Sequence, residues 1–372
     1  MKFTKGDTEG CMRITGLDFC PVQMKLEQPY TIAYETIEKI TNVFIRITTS
    51  NGIIGYGCAA PDKMITGETP SDVMDSLQDS ILPLILNTDP LRSAKILAVL
   101  FNKIDHQPSV LAAVDMALYD ILGKVAGLPL RKLLGGFRNS IKTSVTIGIM
   151  DVDQTIQEAT RLVESGFKCL KIKGGLDVHD DIQRVLEVRN VIGDKIELRF
   201  DGNQGYNVKE SLFFIKKTKQ VNLELIEQPT PKSELRLLQK ITSKASLPIM
   251  ADESLMNLRD AFRLARKDVV DMVNIKLMKV GGISEALQIN AVARAARLEV
   301  MVGCMDEAEL SIAAGLHFAL SRPNIIYADL DGHIGLNNDP SKGTIILRNG
   351  VLYPTNKPGI GFIPDKEWIF DK

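Results

Sequence analysis

Three carboxylates close three consecutive β-rich runs of this chain: Asp201 in Leu198-Arg199-Phe200-Asp201, Glu227 in Leu225-Ile226-Glu227 and Asp252 in Ile249-Met250-Ala251-Asp252. They stand 26 and 25 residues apart. That interval is the length of a strand, a crossover helix and two loops, so each run reads as one βα unit with its acid at the strand's C-terminal end. Parallel strands joined in this way close into a barrel, and the three side chains then converge on one mouth. Converging carboxylates repel unless a cation compensates them. A hard divalent ion with oxygen ligands answers that need, and Mg²⁺ is its usual form.

Lysines flank the acidic row. Lys171 and Lys173 lie in Cys169-Leu170-Lys171-Ile172-Lys173, one run before Asp201, and Lys276 ends Val273-Asn274-Ile275-Lys276, one run after Asp252. Period-2 geometry puts Lys171 and Lys173 on one strand face. Their strand and that of Lys276 are separated by the three acidic strands, so Lys173 and Lys276 face each other across the bound cation. Such a pair can move protons on two faces of one carbon. A single charged strand end is commonly solvated rim; six in register call for another explanation.

After Gly135-Gly136 short β-rich runs alternate with helical stretches, at 142–149, 169–173, 196–201, 223–227, 247–252, 272–276, 299–303 and 325–329. This pattern predicts a (β/α) barrel over 137–335, with no crossover helix after the eighth strand. The preceding segment, 12–136, predicts an α+β cap. Asn42 to Ile47 and Ile53 to Gly57 flank the turn signal Ser50-Asn51-Gly52, a hairpin, and helical periodicity follows from Pro70 with Ser71 as N-cap and a long apolar helix across Val110 to Asp120. The tail, 336–372, is expected to return to the cap.

Composition narrows the partners. Lys plus Arg number 45 against 46 Asp plus Glu, a net charge of −1 over 372 residues, which favours neither nucleic acid nor an anionic membrane. The 5 cysteines are scattered without a Cys-x-x-Cys pair, as buried thiols in a reducing compartment would be. Met1 to Cys11 is polar, and no apolar run reaches membrane-spanning length, so the expected location is the cytoplasm. The 4 histidines, His106, His179, His317 and His333, are scattered and read as surface or loop residues. Gly174-Gly175 and Gly281-Gly282 form no phosphate-loop or dinucleotide fingerprint and read as tight βα turns.

Taken together, Asp115-Met116-Ala117-Leu118-Tyr119-Asp120, Pro129-Leu130-Arg131-Lys132-Leu133-Leu134-Gly135-Gly136, Lys171/Lys173, the row Asp201, Glu227 and Asp252, and Lys276 with Gly281-Gly282 resemble the enolase superfamily, muconate-lactonising-enzyme subgroup, over nearly the whole chain. The resemblance implies an α/β fold, a modified (β/α)₇β TIM-type barrel with an N-terminal α+β capping domain completed by the C-terminal tail. It also implies a bound Mg²⁺ and removal of a proton α to a carboxylate to give an enediolate. A lysine with its ordinary pKa of about 10.4 is protonated at neutral pH, so Lys171 beside Lys173 serves to favour the neutral base. Mg²⁺ stabilises the charge that develops on the carboxylate.

Within the subgroup, the eighth strand discriminates. Tyr327-Ala328-Asp329-Leu330-Asp331-Gly332 carries two carboxylates two residues apart, similar to the pair with which dipeptide epimerases hold a free α-ammonium group; a polar turn at Asp331-Gly332 is the plainer reading. Ile172, Asn203-Gln204-Gly205 and Met250-Ala251-Asp252-Glu253-Ser254 resemble the same enzymes. The implied activity is an isomerase, a racemase or epimerase of amino acid derivatives acting on a dipeptide, with room for a homo-oligomer. Thr146 on the first barrel strand is a further expected substrate contact. One departure concerns specificity: where Ala-Glu epimerases offer a basic residue after the first cap strand, Pro29-Tyr30-Thr31-Ile32-Ala33-Tyr34-Glu35-Thr36 offers Glu35, and Asp306 and Glu307 follow the seventh strand. Both point to a cationic Lys or Arg dipeptide. An o-succinylbenzoate synthase or cycloisomerase on the same barrel is the alternative, although its substrates have no ammonium for Asp329 and Asp331. A metal-free Schiff-base lysine enzyme or a non-catalytic binder is a third, separated by metal dependence.

Overall fold

The computed structural model describes residues 12–32, 36–104, 106–364 and 368–370. Eight parallel strands stand side by side in chain order: Val145–Ile147, Cys169–Lys173, Glu197–Asp201, Ile226–Glu227, Ile249–Ala251, Met272–Lys276, Glu299–Gly303 and Ile325–Asp329. The two edges meet where Thr143 bridges Ala328 and Ser144 N–H donates to Ala328 O at 3.1 Å, which closes the barrel. Helices follow the first seven strands, and none follows the eighth among the described residues. Asp151, Asp177, Asn207 and Asn257 cap four of these helices through side-chain oxygens, each cap stabilising by about 1 kcal/mol.

The strand period fills the barrel in layers. Leu225, Met250, Met272 and Met301 form a buried cluster with Tyr327 packed against it, and the Arg199 guanidinium lies 4.9 Å from the Tyr327 ring centre. Two residues further along the same strands stand Glu227, Asp252, Asn274, Gly303, Asp329 and Asp201. An apolar floor therefore lies beneath a polar layer at the C-terminal ends, where barrel active sites form.

The cap begins with Ile14–Thr31, Thr36–Thr49 and Ile54–Ala59, an antiparallel sheet whose hairpin turns at Gly52 with φ +83°. Helix Pro108–Ala126 packs across it. The C-terminal segment adds Leu336–Asn337 to this sheet opposite Leu26 and Lys25, and Trp368 packs edge-on to Phe44 and Tyr56. Between those contacts the hairpin Ile345–Arg348 and Val351–Pro354 pairs with Ile141–Lys142 instead of with the cap sheet.

Local boundaries differ from the sequence expectations in places. Thr69, not Ser71, is the N-cap of helix Pro70–Ser76: Pro70 occupies the first turn, and Thr69 with Asp72 makes a reciprocal capping box. The run 142–149 is two strands, because Lys142 pairs with the tail hairpin before the chain turns at Thr143 and Ser144 into the barrel. His317 is no surface residue. It is fully buried in helix Glu309–Ala319, where its Nδ1 accepts from Arg131 N–H at 3.0 Å and its other nitrogen meets Ile360 O at 3.0 Å.

Candidate active site

The polar layer brings Lys171, Lys173, Asp201, Glu227, Asp252 and Lys276 to one mouth. Lys171 is the hub. Its Nζ lies 3.0 Å from Asp201 Oδ2, 2.7 Å from Glu227 Oε2 and 2.8 Å from Asp329 Oδ2, with its side chain almost wholly buried. Burial works against its charge, but Asp329, Glu227 and Asp201 outweigh that and hold the ammonium well above the usual lysine range. Lys173 Nζ lies 2.8 Å from Asp201 Oδ2, and Lys276 Nζ 2.8 Å from Asp252 Oδ2. Their strands are second and sixth of eight, diametrically opposed in the closed barrel.

Burial, with the charges of Asp201 and Asp252, pushes Glu227 up to about 7 against the pull of Lys171. Asp252 is also buried, yet Lys276 and Lys279 hold its carboxyl well below the usual range. The ammonium groups of Lys171, Lys173, Lys276 and Lys279 supply the positive charge among the three acids. One oxygen of each acid, Asp201 Oδ2, Glu227 Oε2 and Asp252 Oδ2, faces a lysine ammonium group that lines the cavity. An all-oxygen donor set of this kind suits a hard divalent cation such as Mg²⁺. At the other end of the barrel Cys169, Glu197 and Glu224 also approach one another, a set that includes a thiol, with Arg199 paired to Glu224 at 2.9 Å and Lys142 paired to Glu197.

The eighth strand supplies two carboxylates in different states. Asp329 is buried, with Oδ1 accepting from Ser144 Oγ at 2.6 Å and Oδ2 against Lys171; burial raises its carboxyl, but Lys171 and Ser144 bring it well below the usual range. Asp331 accepts from Thr146 N–H through Oδ2 at 2.7 Å, and Cys304 Sγ lies 3.9 Å from its Oδ1. Burial and the Asp329 charge push Asp331 up to about 6. Thr146 thus meets Asp331 through its backbone and lines the cavity beside it.

A cavity of about 700 Å³ opens over this layer and is shared by barrel and cap, with Tyr30, Asp62, Lys173, Lys276, Asp306 and Asp331 among its walls. This volume suits a small organic substrate. Asp306 accepts from Tyr30 O–H at 2.9 Å through both carboxylate oxygens, and burial pushes its carboxyl up to about 6. Asn42 ties the same loop to the cap, donating to Asp306 O at 3.2 Å and accepting from Ala308 N–H at 2.8 Å. Glu307 is turned inward, accepting from Met305 N–H at 2.8 Å. Glu35 lies outside the described residues.

Several site residues carry no signal of their own in sequence. Asn274 Nδ2 donates to Glu227 Oε1 at 2.8 Å; it precedes Lys276 by two on one strand and so shares its face. Lys279 is fully buried against Asp252 and reaches its carbonyl at 2.5 Å. Gln228 accepts from Asp252 N–H at 3.0 Å and Ser254 N–H at 3.1 Å, which fixes the loop after the fifth strand.

Comparison with known proteins agrees with this geometry. Residues 14–135 match the model of the mandelate racemase / muconate lactonizing enzyme N-terminal domain, and residues 154–368 match the enolase C-terminal domain-like model. The chain is 40% identical to an L-Lys-D/L-Arg epimerase of Desulforapulum autotrophicum over 94% of this chain and 99% of that one. Among solved structures, the substrate-liganded L-Ala-D/L-Glu epimerase of Bacillus subtilis superposes with a TM-score of 0.93 at 36% identity, covering 95% of this chain and 99% of the other. The dipeptide epimerase of Methylococcus capsulatus, complexed with Mg and L-Arg-D-Lys, does so with a TM-score of 0.90 at 35% identity over 94% and 99%. With a capped barrel, two opposed lysines and matches that span both domains, the chain belongs to the mandelate racemase / muconate lactonizing enzyme family of the enolase superfamily, beside its dipeptide epimerases.

Proposed function

We propose that this isomerase is a Mg²⁺-dependent dipeptide epimerase that inverts the α-carbon of the dipeptide's C-terminal residue by a 1,1-proton transfer, with a preference for cationic, Lys- or Arg-containing dipeptides. The observation that carries the reading is the opposition of Lys173 and Lys276 across the row Asp201, Glu227 and Asp252. Asp201, Glu227 and Asp252 would hold Mg²⁺, which when bound would stabilise negative charge on the substrate carboxylate. Lys173 takes or returns the α-proton on one face and Lys276 on the other. Lys171, held charged by Asp329, Glu227 and Asp201 against the cost of its burial, stands two residues before Lys173 on the same strand face. Asp331, with Asp329 beneath it, receives the substrate ammonium, a charge-assisted contact that orients the dipeptide.

Support for a cationic side chain comes from the acids around the cavity. Asp62, Glu253 and Asp306 line it, and Glu35 belongs to the cap segment next to Tyr30 and Ile32, which also line it. Among the described residues, the one arginine in its walls, Arg161, is held by Glu158. A Glu side chain on the substrate would be repelled there. The test compares kcat/KM for L-Ala-L-Glu, a hydrophobic dipeptide and a Lys/Arg dipeptide, with Mg²⁺ and with chelator, before and after Glu35→Arg. The expected result is loss of all activity with chelator and a preference for the cationic dipeptide of tenfold or more, about 1.4 kcal/mol, that shrinks in the variant. A wild-type preference for L-Ala-L-Glu rejects the specificity; full activity without metal rejects the mechanism.

A further inference from the structure

Each of the three acids in the row has one oxygen held by Asn203 N–H, Asn274 or Lys279 and the other against Lys171, Lys173 or Lys276, the lysines that line the cavity. Asp201 Oδ1 accepts from Asn203 N–H at 2.9 Å, while Oδ2 faces Lys171 and Lys173. Glu227 Oε1 accepts from Asn274 Nδ2 at 2.8 Å, while Oε2 is paired with Lys171 Nζ at 2.7 Å. Asp252 Oδ1 accepts from Lys279 Nζ, while Oδ2 faces Lys276. The three donors come from a loop backbone, a strand amide and a helical lysine, yet the outcome is the same at every ligand.

Their supports are buried and specific. Asn274 is fully buried and owes its room to Gly303 on the next strand, where an added Cβ would stand 2.5 Å from Asn274 Oδ1. Lys279 is anchored by the Asp252 carbonyl as well as the carboxylate, with the Asn274 carbonyl 3.4 Å away. Neither residue borders the cavity, so neither is placed to touch a substrate.

We infer that Asn203 N–H, Asn274 and Lys279 confine Asp201, Glu227 and Asp252 to one-oxygen ligation and thereby select Mg²⁺ over Ca²⁺. Ca²⁺ gains from carboxylates that bind through both oxygens and accepts about 6–8 ligands, whereas Mg²⁺ requires near-ideal octahedral geometry with single oxygens. Occupying the second oxygen of every carboxylate removes the larger ion's advantage. It also leaves coordination positions open for substrate oxygens. This inference rests on the assignment of the three acids as ligands and makes Asn274 and Lys279 positioning residues that act through Glu227 and Asp252.

The experiment is calorimetric titration of the metal-free protein with Mg²⁺ and with Ca²⁺, without substrate, on the wild type, Asn274→Leu, Lys279→Met, Lys279→Gln and Asp252→Asn, with circular dichroism as the check on folding. The Ca²⁺/Mg²⁺ ratio of dissociation constants should fall about tenfold or more in Asn274→Leu and Lys279→Met, in keeping with the weight of outer donors at metal sites. Lys279→Gln keeps a donor for Asp252 Oδ1 and should keep the ratio near the wild-type value. Both ions are divalent, so the removed lysine charge affects them alike and the ratio isolates the geometry. An unchanged ratio in Asn274→Leu and Lys279→Met overturns the inference, as does an equal loss in Lys279→Gln; if Lys279→Met does not fold, Asn274→Leu decides alone. Failure of the wild type to bind Mg²⁺, or undiminished affinity in Asp252→Asn, overturns the ligand assignment instead.

Discussion

Lys173 and Lys276 occupy equivalent positions on opposed strands, each paired at 2.8 Å with an acid of the metal row. On the proposed mechanism, replacing either by Ala removes one of two proton-transfer groups and leaves Asp201, Glu227 and Asp252 in place. Epimerisation should fall by about 100- to 10,000-fold or more in each variant, the usual weight of a positioned acid or base. In D₂O the variants should diverge. Lys173→Ala should exchange the α-proton of one stereoisomer only, and Lys276→Ala that of the other, followed by NMR loss of the α-proton signal. Epimerisation at the wild-type rate in either variant, or the same isomer exchanged by both, rejects the two-base assignment.

At the level of elements, the sixth strand depends on the turn that follows Lys276. Gly281 and Gly282 have φ of +88° and +109°, and beyond them Asp115 of the cap helix accepts from Ile283 N–H and Ser284 N–H, with Ser284 Oγ at 2.7 Å. Asp115 thereby caps helix Ile283–Ala295 from another domain; burial pushes its carboxyl up to about 7. A Cβ on Gly282 would stand 2.5 Å from Asp115 Oδ2. Gly282→Ala should therefore cost about 1–3 kcal/mol in backbone strain and more through the displaced carboxylate. Gly52→Ala, also at positive φ but with nothing near its Cβ, should cost only the backbone part. Urea unfolding of the two variants checks the difference; equal losses would show that the Asp115 clamp contributes nothing.

Over the whole molecule, the cap, barrel and tail are tied by buried polar contacts that titrate. His317 joins the turn at Arg131 to the tail at Ile360, and burial pushes its imidazole down to about 4. Its folded pKa lies below the unfolded value, so the unfolded chain binds the extra proton first. Stability contributed by neutral His317 is complete above about pH 6.5 and is lost as pH falls toward 4, a loss of about 3 kcal/mol for that interval. Denaturant unfolding between pH 7 and 4 should show this slope, and His317→Gln should flatten it. An identical slope in the variant would assign the acid sensitivity to other groups. No helix among the described residues is long and apolar enough to cross a membrane.

The barrel, the acidic row and the two lysine-bearing strands are legible in sequence because strand-end position and 25- to 26-residue spacing are set by the length of a βα unit, whatever packs around it. The side-chain period likewise placed Lys171 and Lys173 on one face. Lys279 was not legible, since a Lys three residues after Lys276 reads equally as a solvated turn; only the fold buries it against Asp252. Asn274 reaches Glu227 because Gly303 of the neighbouring strand leaves space for it, a relation between residues 29 apart. His317 looked like a surface residue for the same reason: its partners, Arg131 and Ile360, come from the cap and the tail. Local spacing determines which strand carries a charge and which way it points. Which donor holds each oxygen of a carboxylate depends on groups brought from distant parts of the chain, and that was decided by tertiary structure alone.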